Sequence, residues 1–192
     1  MSSIKTVAVC GAGGTMGAGI AIVAARAGFR TISYDVADAP LERAAKQTAG
    51  FFGKSVERGK MGAEERDAIL GRMERTSDLG KLAEADLVIE AVFEDLSVKK
   101  GLMAKLDAVC AETAIFASNT STLSITEIAS GSKRPGRVVG MHFCLPAQLM
   151  KLIEDVPGLL PSTETFEAAC AWTEACGQIP VKTQDKPGFI LN

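Results

Sequence analysis

The chain has 192 residues, of which 47% are hydrophobic and 23% charged, and its formal net charge is −2. This length suits one domain with its own core, and the small charge predicts neither nucleic acid nor a membrane surface as a partner. No stretch of about 18 apolar residues occurs, so we expect no membrane span. Five cysteines without a C-x-x-C pair predict free thiols and no metal site. Because the N-terminal residues also show no signal peptide, we expect a cytoplasmic location.

A glycine-rich loop near the N-terminus separates a predicted strand from a predicted helix. The apolar residues Lys5–Cys10 favour the strand, and the helix-forming residues Ile20–Ala27 favour the helix. This order places the free N–H groups and positive dipole end of a helix beside the end of a strand, where a pyrophosphate binds. The candidate cofactor-binding residues of this loop are Gly11, Gly13, Gly14, Thr15, Met16 and Gly17.

The spacing of these glycines departs from the G-x-G-x-x-G fingerprint of dinucleotide sites. When Gly11 and Gly13 are taken as the first two glycines, the third falls on Met16. When the pattern is counted back from Gly17, Gly14 becomes the second glycine and the first falls on Ala12. The turn is therefore expected to be one residue longer than usual, and the role of each glycine stays open.

An acidic residue ends the second predicted strand, Thr31–Asp35. A carboxylate at this distance from the glycine loop accepts hydrogen bonds from both hydroxyls of an adenosine ribose and repels a 2′-phosphate. Asp35 therefore predicts NAD as the cofactor. The alternative is that Asp35 is the N-cap of the following helix.

Two helices are predicted next, over Pro40–Arg58 and Met61–Met73. They and the turn between them carry the basic residues Lys46, Lys54, Arg58 and Lys60. Such a charge run is typical of a solvated helix face, and the alternative is a patch for a phosphorylated substrate tail.

Strands and helices continue to alternate, which predicts an α/β fold with a doubly wound, mostly parallel sheet. The predicted strands are Arg75–Ser77, Asp86–Val92 and Thr113–Ala117, and the predicted helices are Leu96–Val109 and Leu123–Ala129. The second of these helices is expected to take its N-cap from the hydroxyl-rich loop Ser118–Thr122. Ligands of such sheets bind beyond the carboxyl ends of the strands, where Gly14, Asp35, Glu94 and Ser121 all fall.

The single histidine lies in the predicted strand Arg137–Phe143, which a short loop connects to the strand Leu149–Glu154. A loop this short predicts an antiparallel hairpin. His142 and Glu154 are each six residues from Gln148, so the hairpin places them opposite one another. A carboxylate beside an imidazole orients it as a general base, and the alternative is a structural histidine at a strand end. A helix over Thr163–Cys176 with Trp172 in the core and a strand over Gln178–Thr183 complete the pattern.

These stretches resemble the 3-hydroxyacyl-CoA dehydrogenase family over nearly the whole chain. The resemblance is carried by Ala12–Ala21, Leu87–Lys99, Ala117–Ala129, Gly140–Glu154 and Asp185–Asn192. It implies a Rossmann domain and an NAD-dependent, reversible oxidation of an L-3-hydroxyacyl-CoA to a 3-ketoacyl-CoA in fatty-acid or related acyl-CoA metabolism.

The resemblance also implies residue roles. His142 would accept the proton of the 3-hydroxyl group, and Glu154 would stabilise the imidazolium. Ser121 would hydrogen-bond the substrate oxygen or the nicotinamide side, and Asn192 would lie near the substrate carbonyl. Residues expected to contact NAD are Asp35, Glu94 and Lys99, and those expected to meet the CoA phosphates are Lys46, Lys54, Arg58 and Lys60.

Two features of the chain depart from the family besides the long glycine loop. Leu145 replaces an asparagine expected near the nicotinamide. The family also continues into a helical second domain that forms a homodimer, so we expect a nucleotide domain over residues 1–185 and the start of the second domain over 186–192. Such a fragment is expected to bind NAD and to turn over poorly, because substrate positioning and water exclusion depend on the second domain.

Three other functions fit parts of the pattern. Hydroxyisobutyrate-type dehydrogenases share the Rossmann start but use a lysine as acid and base, against which the pair His142 and Glu154 argues. A sugar-acid dehydrogenase, such as a gulonate dehydrogenase, shares the same pair, and a test of acyl-CoA against free hydroxyacids separates these classes. A non-catalytic NAD-binding relative, like those of the eye lens, is the third alternative.

Overall fold

Eight strands form one sheet in the computed structural model, which describes residues 4–186 and 188–190. The strands are β1 (Thr6–Cys10), β2 (Arg30–Tyr34), β3 (Met73–Thr76), β4 (Leu87–Glu90), β5 (Ile115–Ser118), β6 (Val138–Phe143), β7 (Leu152–Val156) and β8 (Ile179–Lys182). Their spatial order is β3-β2-β1-β4-β5-β6-β7-β8, and every neighbouring pair is parallel except β6 and β7. The predicted α/β class, doubly wound sheet and antiparallel hairpin are confirmed.

Six α-helices connect these strands. They are α1 (Thr15–Arg26), α2 (Asp38–Glu57), α3 (Ala63–Gly71), α4 (Leu96–Val109), α5 (Ile125–Ala129) and α6 (Thr163–Ala175). Two short 3₁₀ turns, over Leu79–Glu84 and Pro135–Arg137, were not among the predicted elements. Among the described residues, no helix is long and apolar enough to cross a membrane.

The central strand β1 shows why the sheet is apolar on both faces. Val7 and Val9 pack into one core cluster, which includes residues of α1 and α6, and Ala8 and Cys10 pack into a second cluster with residues of α4 and α5. Alternate side chains of a strand point to opposite faces, so a strand covered on both sides is apolar throughout. Trp172 of α6 is 2% exposed in the first cluster, as predicted.

Two predicted helix starts are wrong. Helix α1 begins at Thr15 instead of Ile20, because the extended residue Gly14 is its N-cap and the glycines that follow are helical. The N-cap of α5 is Ser124 and not a residue of the loop Ser118–Thr122. The hydroxyl of Thr120 in that loop instead donates to a carboxylate of the neighbouring strand–helix connection.

Candidate active site

The carboxyl ends of β1, β2, β4 and β5 meet at one edge of the sheet, which we call the ligand edge. The glycine loop follows β1, Asp35 follows β2, Glu94 follows β4 and Ser121 follows β5. Because these strands are parallel neighbours, four segments that are distant in the chain end side by side. The predicted placement of these residues at the edge of the sheet is confirmed.

The glycine loop uses its glycines for different purposes. Gly11 has a φ of 78°, and a Cβ there would lie 2.5 Å from the carbonyl oxygen of Ala91. A Cβ on Gly17 would collide with the carbonyl of Gly11, so this glycine permits close packing of α1 on the loop. Gly14 is exposed and is the N-cap of α1, and a Cβ there would lie 3.4 Å from the oxygen of Gly11, at ordinary contact distance. Gly11 and Gly17 therefore fill the first and third positions of the fingerprint, with one extra residue between them.

Asp35 faces this loop from the end of β2. Its Oδ2 accepts a hydrogen bond of 2.9 Å from the N–H of Gly13, and its Oδ1 accepts one of 2.8 Å from the N–H of Val36. The N-cap of α2 is Ala37, which has no side-chain cap, so the interpretation of Asp35 as a helix cap is wrong. The carboxylate remains at the ligand edge with further lone pairs for a ribose.

A cleft of about 690 Å³ opens beside Asp35. Its lining includes Gly11, Gly14, Val36 and Phe93. Val36 is 83% exposed and Phe93 is 78% exposed, which is unusual for large apolar side chains. The volume and the mixed apolar and polar lining suit the adenosine half of a dinucleotide.

A buried ion network lies under the next part of the ligand edge. Lys99 of α4 is 1% exposed, and its Nζ lies 2.8 and 2.9 Å from the two carboxylate oxygens of Glu90, which is fully buried at the end of β4. The same Nζ lies 3.1 Å from Glu94. Burial raises the pKa of Glu90 above its ordinary value, against the opposing effect of Lys99.

Glu94 connects this network to the loop after β5. Its Oε1 accepts hydrogen bonds from the hydroxyl of Thr120 and, at 3.2 Å, from the N–H of Ser121. Burial alone would raise the pKa of Glu94, but the Thr120 hydroxyl and Lys99 hold it below its ordinary value. The carboxylate of Glu94 therefore holds the loop that carries Ser121 in place by hydrogen bonds. On the same loop, Asn119 Oδ1 accepts a 2.8 Å hydrogen bond from the N–H of Phe143, beside the histidine.

His142 and Glu154 are opposite one another in the register of β6 and β7, as predicted. The Nδ1 of His142 lies 2.7 Å from Oε2 of Glu154, and the two residues are 8% and 0% exposed. With Glu154 ionised, Nδ1 carries the proton, so the neutral ring keeps the lone pair of Nε2 for a ligand. This arrangement can accept a proton and stabilise the resulting imidazolium.

The C-terminal segment of the described chain packs against this pair. The N–H of Ile190 donates a 2.9 Å hydrogen bond to Oε1 of Glu154, and the ring of Phe189 lies 5.8 Å from that of His142. Asp185 anchors the segment by accepting hydrogen bonds from the N–H groups of Ile125 and Thr126 at the start of α5. Asn192 lies outside the described residues.

The remaining predicted residues lie away from the histidine pair. The basic residues of α2 and its C-terminal turn are exposed, and no described contact joins them to the pair; they are Lys46, Lys54, Arg58 and Lys60. Leu145 is 59% exposed in the loop that follows β6.

The sequence interpretation missed two residues that shape the site, Glu90 and Asp185. An acid at the end of an otherwise apolar strand, as in Leu87–Glu90, was a usable signal, because a buried carboxylate needs a cationic partner. The role of Asp185 had no local signal, since its partners are about 60 positions away in the chain.

A dinucleotide loop and a buried imidazole–carboxylate pair at one sheet edge define the cofactor-binding domain of a nicotinamide-dependent dehydrogenase. The family model for the 3-hydroxyacyl-CoA dehydrogenase, NAD binding domain, matches residues 6–186, and the chain belongs to this family. NAD as the cofactor follows from that match.

Relatives and solved structures agree with this assignment. The chain is 45% identical to 3-hydroxyadipyl-CoA dehydrogenase of Escherichia coli, covering all of this chain and 40% of the relative. It is 42% identical to a probable 3-hydroxybutyryl-CoA dehydrogenase of Bacillus subtilis, covering 98% of this chain and 66% of the relative. A crystal structure of 3-hydroxybutyryl-CoA dehydrogenase from Escherichia coli superposes with a TM-score of 0.96 at 45% identity, over 98% of this chain and 40% of that one.

Proposed function

We propose that the chain provides the NAD-binding and acid–base parts of an enzyme that interconverts L-3-hydroxyacyl-CoA and 3-ketoacyl-CoA. The observation that carries this proposal is the 2.7 Å contact between His142 and Glu154 at the edge that also holds the glycine loop. Relatives named 3-hydroxyadipyl-CoA and 3-hydroxybutyryl-CoA dehydrogenases support the class of substrate.

The glycine loop and Asp35 form the nucleotide half of the ligand edge, and their residues fit NAD. The N–H groups at the start of α1, beside Gly14, would hold the pyrophosphate, and Asp35 would accept the ribose hydroxyls. NAD, when bound, supplies the acceptor for the hydride that leaves C3 of the hydroxyacyl group.

The histidine pair supplies the proton chemistry. In the oxidation direction, Nε2 of His142 accepts the proton of the 3-hydroxyl group, and the carboxylate of Glu154 stabilises the positive ring through the Nδ1–H bond. In the reduction direction, the imidazolium returns this proton to the substrate oxygen. Burial of the pair strengthens this electrostatic stabilisation, because little water screens it.

Ser121 is proposed to orient the substrate oxygen or the nicotinamide side, with Glu94 holding its loop in place. Glu94 stays a proposed contact of NAD. Lys99 is 1% exposed and contacts Glu94, so the predicted direct contact of Lys99 with NAD is wrong and Lys99 acts on the site through Glu94. Asn192 stays a proposed contact of the substrate carbonyl. The proposed contacts of the CoA phosphates are Lys46, Lys54, Arg58 and Lys60.

The surroundings of the domain are also proposals. The chain spans 40% of the Escherichia coli relative and 66% of the Bacillus subtilis relative. We propose a nucleotide domain over residues 1–185, the start of a helical domain over 186–192, and a homodimer formed through that helical domain. The five free cysteines support a reducing compartment such as the cytoplasm.

The test is a single-turnover experiment with the 192-residue chain in excess over NADH. After NADH binding is measured, acetoacetyl-CoA, free acetoacetate or a keto sugar acid is added, and the absorbance of NADH is followed. We expect NADH to bind and acetoacetyl-CoA to be reduced faster than either free acid. Faster reduction of a free acid would contradict the acyl-CoA assignment. NADH binding without reduction of any substrate would fit a nucleotide domain that needs the helical second domain for turnover, and binding of neither NADH nor substrate would contradict the proposal.

A further inference from the structure

The extra residue of the glycine loop occupies a definite place. Gly11 and Gly17 are separated by five residues, Ala12–Met16, where the fingerprint has four. Between them, Gly14 is the exposed N-cap of α1 and lines the cleft beside Asp35. Gly13 is instead turned toward the end of β2 and the start of α2, where a Cβ would lie 2.7 Å from Oδ2 of Asp35 and would collide with Pro40.

The N–H of Gly13 binds the carboxylate of Asp35 directly. This 2.9 Å hydrogen bond and the 2.8 Å bond from Val36 N–H hold one oxygen each. Hydrogen bonds from fixed backbone donors to a carboxylate hold it in one orientation. A carboxylate held in this way can accept ribose hydroxyls without a further loss of side-chain freedom, and it cannot rotate away from a 2′-phosphate.

We propose that the lengthened turn divides two tasks between adjacent glycines, and that Gly13 determines nucleotide specificity by holding Asp35 in place. Gly14 faces the pyrophosphate, which NADH and NADPH share. Gly13 acts only through Asp35, which contacts the 2′ position of the adenosine ribose, where NADH has a hydroxyl group and NADPH a phosphate. This inference rests on the proposed use of NAD at the site.

The test compares Gly13→Ala with Gly14→Ala, which place the same methyl group one residue apart. Dissociation constants for NADH and NADPH are measured for both variants and for the unaltered chain. We expect Gly13→Ala to lower the ratio of the NADPH constant to the NADH constant about tenfold, because displaced Asp35 binds ribose less well and repels phosphate less. Gly14→Ala should weaken both nucleotides by a similar factor and leave the ratio within about twofold. Asp35→Asn is the reference variant, because loss of its carboxylate charge should lower the ratio of the NADPH constant to the NADH constant in the same direction as Gly13→Ala.

The outcomes separate this inference from the proposed function. Binding of neither nucleotide by the unaltered chain would overturn the proposed function and this inference with it. Preference for NADH in the unaltered chain, with the same ratio in Gly13→Ala, would overturn the inference alone. An equal change of the ratio in Gly14→Ala would also overturn it.

A second measurement does not depend on the folding of an alanine variant. In the unaltered chain labelled with ¹⁵N-glycine, the amide signal of Gly13 should shift as acid protonates Asp35, whereas that of Gly14 should shift much less. The Gly13 shift should disappear in Asp35→Asn. An amide signal of Gly13 that does not respond to Asp35 would overturn the proposal.

Discussion

The two halves of the ligand edge are built in opposite ways. The nucleotide half consists of one continuous loop, Gly11–Gly17, with Asp35 beside it, and it presents backbone N–H groups at an open cleft. The catalytic half consists of two side chains from different strands, His142 and Glu154, that are almost completely buried. In the proposed function, cofactor binding would therefore depend on local backbone shape, whereas proton transfer would depend on the register between two strands.

The ion network of Glu90, Lys99 and Glu94 lies between the two halves. It connects the end of β4 to α4 and to the loop of Ser121, because Lys99 donates two hydrogen bonds to Glu90 and forms an ion pair with Glu94. A change at His142 should nevertheless leave NADH binding measurable by itself, because the glycine loop and Asp35, which hold the pyrophosphate and the ribose in the proposed site, lie at the ends of other strands.

The largest effect is expected from His142→Gln, which keeps an amide N–H within reach of Glu154 and removes the base. Single-turnover reduction of acetoacetyl-CoA should slow by about 10³-fold or more, because a positioned acid or base contributes about 10²–10⁴-fold. NADH affinity should change less than about threefold, since the nucleotide half is separate. A parallel loss of NADH affinity would show that the two halves are not independent.

The neighbouring acid on β7 provides a contrast within one strand. Asp155 is fully buried on the opposite face from Glu154, with a 3.3 Å hydrogen bond from Thr173 and no partner for its Oδ2 among the described residues. Burial raises the pKa of Asp155 from 3.8 to about 7, against the opposing effect of Thr173. No ion pair of this carboxyl group lies within 4 Å among the described residues, although Lys182 is its partner in the register of β7 and β8 and opposes the rise of its pKa.

The free energy of unfolding should therefore fall as the pH rises from about 4 to about 7. In this range the folded chain retains a proton on Asp155 that the unfolded chain has released, so folding binds a proton. The contribution should reach at most about 4 kcal/mol. Asp155→Asn should lack it, as denaturant unfolding at several pH values would show, whereas the exposed substitution Glu127→Gln should keep it. Glu90, whose pKa burial also raises, should give all three chains a common contribution, so only an equal pH dependence in Asp155→Asn and the unaltered chain would contradict this assignment.

A smaller effect on turnover is expected from Glu154→Gln. The amide can still contact His142 but cannot stabilise a positive ring, so the rate of acetoacetyl-CoA reduction should fall about 10²-fold. The measurement is the single-turnover rate across pH, because a lost carboxylate should also alter the pH profile. A reduced rate with an unchanged profile would assign Glu154 a purely structural role.

The smallest effect is expected at the adenosine cleft. Phe93→Ala removes an exposed ring that lines the cleft, and NADH should bind about threefold to tenfold more weakly. Leu159→Ala is the matched control, because Leu159 is 84% exposed and follows β7 at the other edge of the sheet. Equal affinities of the two variants for NADH would place the adenine elsewhere.

The sequence predicts features that depend on short-range spacing. The strand–loop–helix start, the sheet and the pairing of His142 with Glu154 are confirmed, since the last follows from equal distances to the centre of a hairpin. The predicted start of α5 is wrong because Ser124 is its N-cap. The hydroxyl of Thr120 accepts a hydrogen bond from the N–H of Leu123 and donates one to Glu94, but these residues precede the helix.

The residues that could not be predicted depend on contacts between distant segments. Lys99 is buried only because Glu90 and Glu94 converge on it, although lysines are usually exposed. The separate tasks of Gly13 and Gly14 depend on how close β2 lies to the loop. A sequence fingerprint gives the spacing of residues along the chain and not the distance between the glycine loop and β2.

In the proposed reaction, a hydride passes between NAD in the nucleotide half and C3 of an acyl-CoA beside His142. The most direct test uses NADH that carries deuterium at both hydrogen positions of C4, acetoacetyl-CoA and an excess of the chain, followed by mass spectrometry of the product. We predict 3-hydroxybutyryl-CoA with one deuterium at C3, and almost none of it with His142→Gln. Unlabelled product, or equal labelled product with the variant, would contradict the account.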